Sequence, residues 1–256
     1  MPKQPKHNRN PGGWDALATW YDGWMGTEGG EHHRKLAIPA VLDLFQLQAG
    51  ERLLDVGSGQ GVLAPYIVQT GAAYTGVEIS PRLLVLARKR HQERFLQGDA
   101  RRLRDHPALK AGQFDAVVFL LSIQDMNPLE AVLDSASWAL RDGGRLVILM
   151  THPCFRVPRQ SSWEHDASGN LFFRRVDRYL TPLAVPIKSY GKKGAGVSIS
   201  FHRPLSHYIN GLAAHGLLID ELQEITTHKP RESKAEQRAN LEIPLFIGLR
   251  ARKLRA

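Results

Sequence analysis

Between residues 52 and 150, short runs of almost unbroken apolar character alternate with segments that carry apolar residues at helical spacing. "RLLDVG", "AAYTGVEI", "FDAVVFLLS" and "RLVILM" read as strands, and "ERFLQGDA" holds a shorter one. Strands that are apolar on both faces belong to parallel sheets covered on both sides by helices. The segments "VLAPYIVQT", "SPRLLVLARKRHQ" and "PLEAVLDSASWAL" supply those helices. Ser80 followed by Pro81 marks one helix start, a side-chain cap followed by a residue whose φ is already helical. The pattern predicts an α/β fold with a doubly wound, mostly parallel sheet. It reaches seven strands once "LLIDELQEI" and "LEIPLFIGLRARK" are added near the C-terminus.

After Met150 the rhythm breaks. Residues 152 to about 202 are rich in Pro, Gly, Arg and aromatics without a clean period, which reads as a lid-like insertion after the fifth strand. Residues 1–13 read as a flexible basic tail, residues 14–50 as an N-terminal helical cover, and residues 14–256 as a single domain. No apolar run approaches the roughly 18 to 20 residues of a membrane-spanning helix. The N-terminus lacks the apolar segment of a secretory signal, and a lone cysteine, Cys154, fits a reducing compartment. The expected setting is the cytoplasm, with no membrane partner. No metal-ligand cluster accompanies Cys154. The formal charge of +9 suits phosphate-bearing partners, or simply a solvated basic surface.

The turn after the first strand is spaced Gly57-x-Gly59-x-Gly61. A dinucleotide fold prefers G-x-G-x-x-G, with the helix N-terminus on a pyrophosphate. Here the third glycine comes one residue early, and Asp55 precedes the turn. A carboxylate at that place repels a pyrophosphate and suits a ligand carrying an ammonium. Glu78 ends the second strand, where a carboxylate can accept from both ribose hydroxyls, and Asp99 follows the third. Asp55 and Ser58 could instead cap the next helix, and Asp99 could be a plain helix cap.

Taken in order, "LLDVGSGQGV", "GVEIS", "LQGDA", "FDAVVFLLS" and "LRDGGRLVIL" resemble the motifs of class I S-adenosylmethionine-dependent methyltransferases. The resemblance covers roughly residues 30 to 151, and the last two strands match that family's ending. It implies S-adenosyl-L-methionine as cofactor. Asp55 and Gly57 would then face the methionine moiety, with Ser58 in the same turn. Gly59 and Gly61 would let the backbone approach. Glu78 would hold the ribose, Ile79 the adenine face, and Gly98, Asp99 and Ala100 the adenine edge. Leu121 and Ser122 would line the sulfonium region, and Tyr21 would close over the cofactor. Tyr21 could equally be packing among its neighbouring tryptophans.

Methyl transfer needs positioning above all, and a base only if the acceptor must lose a proton. His152, where the fifth strand ends, and Asp125, in "SIQDMNP", are the candidate catalytic residues. The insertion offers Arg156, Trp163, Arg175, Tyr179 and His202, with His152, as acceptor contacts: arginines for anions, aromatics for flat rings. A histidine at a strand end is also a common structural residue, and the aromatics could simply pack the insertion down. Two acceptors fit: a small, planar or anionic molecule methylated on O or N, or RNA bound through the basic tail and insertion. The absence of any separate RNA-binding segment favours the small molecule.

Overall fold

The computed structural model describes residues 13–188, 197–227 and 233–255; the tail read over residues 1–13 lies outside them, apart from Gly13. Strands β1 (Arg52–Val56), β2 (Ala73–Glu78), β3 (Arg94–Gln97), β4 (Phe114–Leu120) and β5 (Leu140–Thr151) come first. Two hairpins follow, β6 (Ser161–His165) with β7 (Phe172–Val176), and β8 (Leu183–Lys188) with β9 (Val197–His202). β10 (Leu217–Ile225) and β11 (Phe246–Lys253) end the chain. The helices are α1 (Trp14–Met25), α2 (Ile38–Phe45), α3 (Ala64–Gln69), α4 (Pro81–Arg90), α5 (Leu129–Ala139), α6 (Leu205–Ala214) and α7 (Lys234–Glu242).

The central sheet has seven strands in the order β10-β11-β5-β4-β1-β2-β3. β1 to β5 run parallel, and β11 lies antiparallel between β5 and β10. Adjacent residues in each strand serve opposite cores. Leu53, Ala116, Val118, Val147 and Leu149 pack beneath α2, α3 and α4. Leu54, Val117, Phe119, Ile148 and Met150 pack beneath α5 and α6. That division is why these strands are apolar throughout: neither face meets water. The chain leaves β1 to its neighbour β2 on one side and returns by β4 on the other. The carboxyl ends of β1 and β4 therefore part at the switch point, where open α/β sheets hold ligands.

Three local features differ from the sequence reading. The helical cover expected over residues 14–50 widens into a π-turn at His33–Ala37 before α2 begins. Pro39 cannot donate to a carbonyl one turn back, and the widened turn relieves that position. The insertion, read as aperiodic, is built from hairpins whose outward residues are mixed enough to hide a two-residue period. Helix α7 was not anticipated. Its signal is the Ser-x-x-Glu start of "SKAE", where the Ser233 side chain accepts from the Glu236 N–H at 3.1 Å. Among the described residues no helix is long and apolar enough to cross a membrane.

Candidate functional site

Above the carboxyl ends of β1 to β4 lies a cleft of about 480 Å³, within the ordinary size of a small-ligand site. Its floor is the glycine turn after β1. Gly57 and Ser58 both donate to the Val77 carbonyl, at 2.8 and 3.1 Å, which folds the turn down against β2. Gly57 has φ +77°, and a Cβ there would stand 2.7 Å from both Ser122 Cβ and Met126 Cε. Only glycine fits: the position is left-handed and the approach is already closed. Ser122 is fixed in turn by donating to the Val56 carbonyl at 2.7 Å. Leu121 beside it adopts φ +53°, a conformation that costs a branched side chain energy and occurs where a site demands it.

Glu78 forms one wall. It is 5% exposed, with Oε2 accepting from the Gly59 N–H at 2.9 Å and Oε1 from the Ser80 N–H at 2.8 Å. Each carboxylate oxygen has a second lone pair, so both can still receive a hydroxyl from the cleft. Burial raises its pKa against these backbone donors. Ile79, Gly98, Asp99, Ala100 and Arg101 continue this wall. Asp99 caps the turn that follows, accepting from the Arg101 N–H at 2.9 Å. The Arg101 guanidinium grips the same carboxylate at 2.6 Å, and these bonds hold Asp99 below its usual range although burial pushes it up. Arg101 also faces the cleft and went unnoticed in the sequence, where one arginine among many carries no signal.

The roof comes from α1 and β9. Asp15 of α1 accepts from the Ser80 hydroxyl at 2.8 Å and the Arg82 N–H at 3.0 Å, and Asp22 pairs with Arg90 at 2.7 Å. These ties hold Trp14 and Tyr21 over the opening, ring edge to ring face at 5.2 Å. The Tyr21 hydroxyl is pushed well above its usual range by burial, and further by the charges of Glu78, Asp125 and Asp55. Val197, Ser198, Ile199 and Phe201 of β9 close the other side. These β9 residues, with Trp14, Met126 and Asn127, escaped sequence reading because they lie far from the glycine turn in the chain.

Asp55, Ser58 and Gly61 are not among the residues lining the cleft. Asp55 lies beneath the turn, 2% exposed, accepting from the Tyr74 hydroxyl at 2.7 Å through Oδ2 while Oδ1 has no partner. Burial lifts its pKa to about 7 despite the Tyr74 bond. Ser58 is buried in the same turn. Gly61 serves packing: a Cβ there would meet Phe95 Cζ at 2.7 Å and His91 at 2.9 Å. Asp125, on the short turn after β4, does line the cleft, and its Oδ1 also lacks a partner. Burial raises it to about 7, against the lowering influence of the nearby Ser200 and Trp14 and the charge of Arg203.

The remaining expected acceptor contacts lie elsewhere. His152 is 2% exposed, with Nε2 on Glu224 at 2.9 Å and Nδ1 facing the Cys154 N–H at 3.3 Å. Both ring nitrogens are engaged away from the cleft, so its position is that of a structural clamp at the end of β5. Trp163 stacks on Phe172 at 4.7 Å and is flanked by the Arg156 and Arg174 guanidinium groups. Arg175 pairs with Glu164 and Asp177. The Tyr179 hydroxyl accepts from the Leu205 N–H at 2.9 Å, and its carbonyl contacts His202 Nε2 at 2.7 Å. Arg156, Trp163, Arg175, Tyr179 and His202 thus fasten the insertion to the domain and to itself.

Chemically, the cleft collects more carboxylates than cations, with Arg203 the charge that acts on Asp125. Glu78 is in its wall, Asp125 at its far end and Asp55 below its floor, while Arg101 is committed to Asp99. Such a field disfavours a pyrophosphate and favours a nucleoside that carries positive charge. A carboxylate with open lone pairs in the wall, a glycine-only cradle and two unpartnered buried carboxylate oxygens suit S-adenosylmethionine, which bears both an ammonium and a sulfonium. Among the described residues there is no cluster suited to a metal ion.

The fold is therefore an α/β domain of the doubly wound kind, with β11 antiparallel between β5 and β10. Comparison with known proteins agrees. Residues 54–148 match the family of the methyltransferase domain. A demethylmenaquinone methyltransferase of Tropheryma whipplei is 35% identical over 115 residues, 44% of this chain and 48% of that protein. A ubiquinone biosynthesis O-methyltransferase of Xylella fastidiosa is 29% identical over 139 residues, 52% of this chain and 56% of that protein. The chain spans about half the length of these relatives. Among solved structures, an S-adenosylmethionine-dependent methyltransferase from Mesorhizobium loti superposes with a TM-score of 0.67 at 24% identity, covering 89% of this chain and all of the other. The Burkholderia thailandensis 1,6-didemethyltoxoflavin-N1-methyltransferase superposes at 0.54 with 17% identity, covering 100% and 93%. Residues 54–148 thus match a methyltransferase domain, on a fold shared with S-adenosylmethionine-dependent methyltransferases.

Proposed function

We propose that this protein transfers a methyl group from S-adenosylmethionine to an oxygen or nitrogen of a small planar acceptor. The carrying observation is that one cleft holds two unlike halves. The half at β2 and β3 has the carboxylate of Glu78 and the backbone of Gly98 to Ala100; the half under the roof is lined by Trp14, Met126, Val197, Ile199 and Phe201. Flat apolar walls around few polar groups suit a ring rather than a charged chain. The names of the relatives, a demethylmenaquinone methyltransferase and a ubiquinone biosynthesis O-methyltransferase, point the same way.

In this reading Glu78 takes the ribose hydroxyls and Ile79 and Ala100 the adenine. Tyr21 covers the sugar and excludes water. The cofactor supplies a methyl group on a sulfonium, an electrophile that needs no covalent enzyme intermediate. What the chain contributes is placement, which can account for about 7 to 11 kcal/mol of a barrier.

The anionic-acceptor variant loses support, because Arg174 and Arg175 of the insertion are turned to partners within the chain. Arg174 donates to the Phe155 carbonyl at 2.7 Å and to Ser161. Arg175 is held by Asp177 and Glu164. The same commitments weaken the RNA reading. Calorimetry with S-adenosylhomocysteine, followed by transfer of labelled methyl to catechol, hydroquinone and bulk tRNA, tests both. Label should enter the small rings. Label entering RNA, with affinity falling steeply as salt rises, would overturn this reading in favour of a polymer substrate.

A further inference from the structure

We propose that Asp125 is the catalytic base of this site, its free oxygen Oδ1 taking the acceptor's hydroxyl or amino proton as the methyl group moves. The inference rests on the planar-acceptor reading above and names the group that completes it.

Asp125 ends the one-turn segment Ile123–Asp125, directly after the strained Leu121 and the anchored Ser122. Ser122 and Met126 on either side of it stand against Gly57, so this segment forms the strait between the nucleoside half of the cleft and the roofed half. A carboxylate here is the first titratable group beyond the strait. Its environment is constructed from both roof elements: Trp14 of α1 and Ser200 of β9 stand near enough to favour its charged form. Oδ1 has no hydrogen-bond partner. A buried acceptor without a partner is costly, and Asp125 is among the residues that line the cleft.

The surrounding charges fit a base. Arg203, following β9, donates to the Met126 carbonyl at 2.7 Å and to Asn127 Oδ1 at 3.0 Å, fixing the segment while lending positive charge to Asp125. From the other elements Tyr21 of α1, Tyr208 of α6, Glu78 and Asp55 act on the same region. Burial outweighs these, leaving Asp125 at about 7, where an oxygen base is most effective near neutral pH. His152 cannot share the task, since both of its ring nitrogens are engaged outside the cleft.

The step balances. The acceptor's O–H or N–H bond breaks, its electron pair staying on the heteroatom, and the proton passes to Asp125 Oδ1. A heteroatom pair forms the new bond to the methyl carbon, and the pair of the C–S bond leaves with sulfur. Product release returns the proton to water.

The test uses 4-nitrocatechol, a planar ring whose ionised form absorbs in the visible, added to the whole protein with S-adenosylhomocysteine at slightly acidic pH. Wild type should bind it in the ionised form, with the proton retained by the protein. Asp125→Asn should bind S-adenosylhomocysteine and 4-nitrocatechol within about threefold of wild type, yet hold the ring neutral and lose about 10²- to 10⁴-fold in methyl transfer. Ser200→Ala removes a side chain that favours the charged form, so its pH–rate profile should move to higher pH; an unmoved profile would deny Ser200 its positioning role and count against Asp125 as the titrating group. If Asp125→Asn also binds the ionised ring and turns over normally, Asp125 is not the base, while the planar-acceptor reading stands. If wild type binds S-adenosylhomocysteine but ignores the ring, the planar-acceptor reading fails and takes this assignment with it.

Discussion

Asp55→Asn should make the free protein more stable and its cofactor binding weaker. Asp55 is 2% exposed, faces no cation, and accepts a single hydrogen bond, from Tyr74. Its pKa rises from 3.8 to about 7, chiefly through burial. About three units at ~1.4 kcal/mol each gives about 4 kcal/mol as the cost of keeping it ionised in the fold. The folded protein thus holds this proton more tightly than the unfolded chain. Stability linked to Asp55 is complete below the unfolded value of 3.8 and is lost as pH rises through about 7. Asparagine retains an oxygen for Tyr74 and carries no charge, so the loss disappears. Below about pH 4 the variant and wild type should be similar, and the gap should open steadily from there to about pH 7. Above pH 7 the variant should melt higher, by up to about 8 °C at ~2 °C per kcal/mol. Glu78 and Asp125, both raised by burial, should leave residual dependence of the same sign. Denaturation across pH reads the stability, and calorimetry with S-adenosylhomocysteine reads the affinity. A variant destabilised equally at every pH, or one that binds as wild type does, would refute the idea that Asp55 is an unsatisfied charge kept for a cationic ligand.

Two further substitutions separate site from scaffold. Gly57→Ala forces a left-handed residue against Ser122 and Met126; it should cost about 2 to 4 kcal/mol of stability and close the strait. Gly23→Ala in α1, where nothing lies within 4 Å of an added Cβ, should instead gain up to about 1 kcal/mol. Thermal melts of the pair decide it, equal effects counting against the cradle. His152→Ala should destabilise the fold by about 2 to 3 kcal/mol through lost packing and the lost Glu224 bond, with S-adenosylhomocysteine affinity and turnover of the folded protein nearly unchanged. A selective collapse of turnover would restore His152 as a reacting group.

The glycine turn and the strand-end acids were legible because their signal is local. A left-handed glycine at Gly57, a carboxylate closing β2 at Glu78 and a capped helix at Ser80 each depend on a few neighbouring residues, and their order along the chain fixes the sheet's carboxyl edge. The acceptor side was not legible. His152, Arg156, Trp163, Arg175, Tyr179 and His202 are residue types that often touch substrates, and they stand in the right part of the chain. Their partners, however, are decided by how the hairpins β6–β7 and β8–β9 pack. Arg156 and Arg174 flank Trp163, and Tyr179 bonds Leu205 and His202, so these side chains hold the insertion in place.

The sequence by itself determined the α/β class and the sheet edge that carries the glycine turn and the strand-end carboxylates, because backbone geometry and burial are set by short-range pattern. Tertiary structure alone decided which residues meet across the cleft. Trp14, Asp125 and Ser200 are scattered along the chain, and only the folding of α1 and β9 over one strand end makes them neighbours.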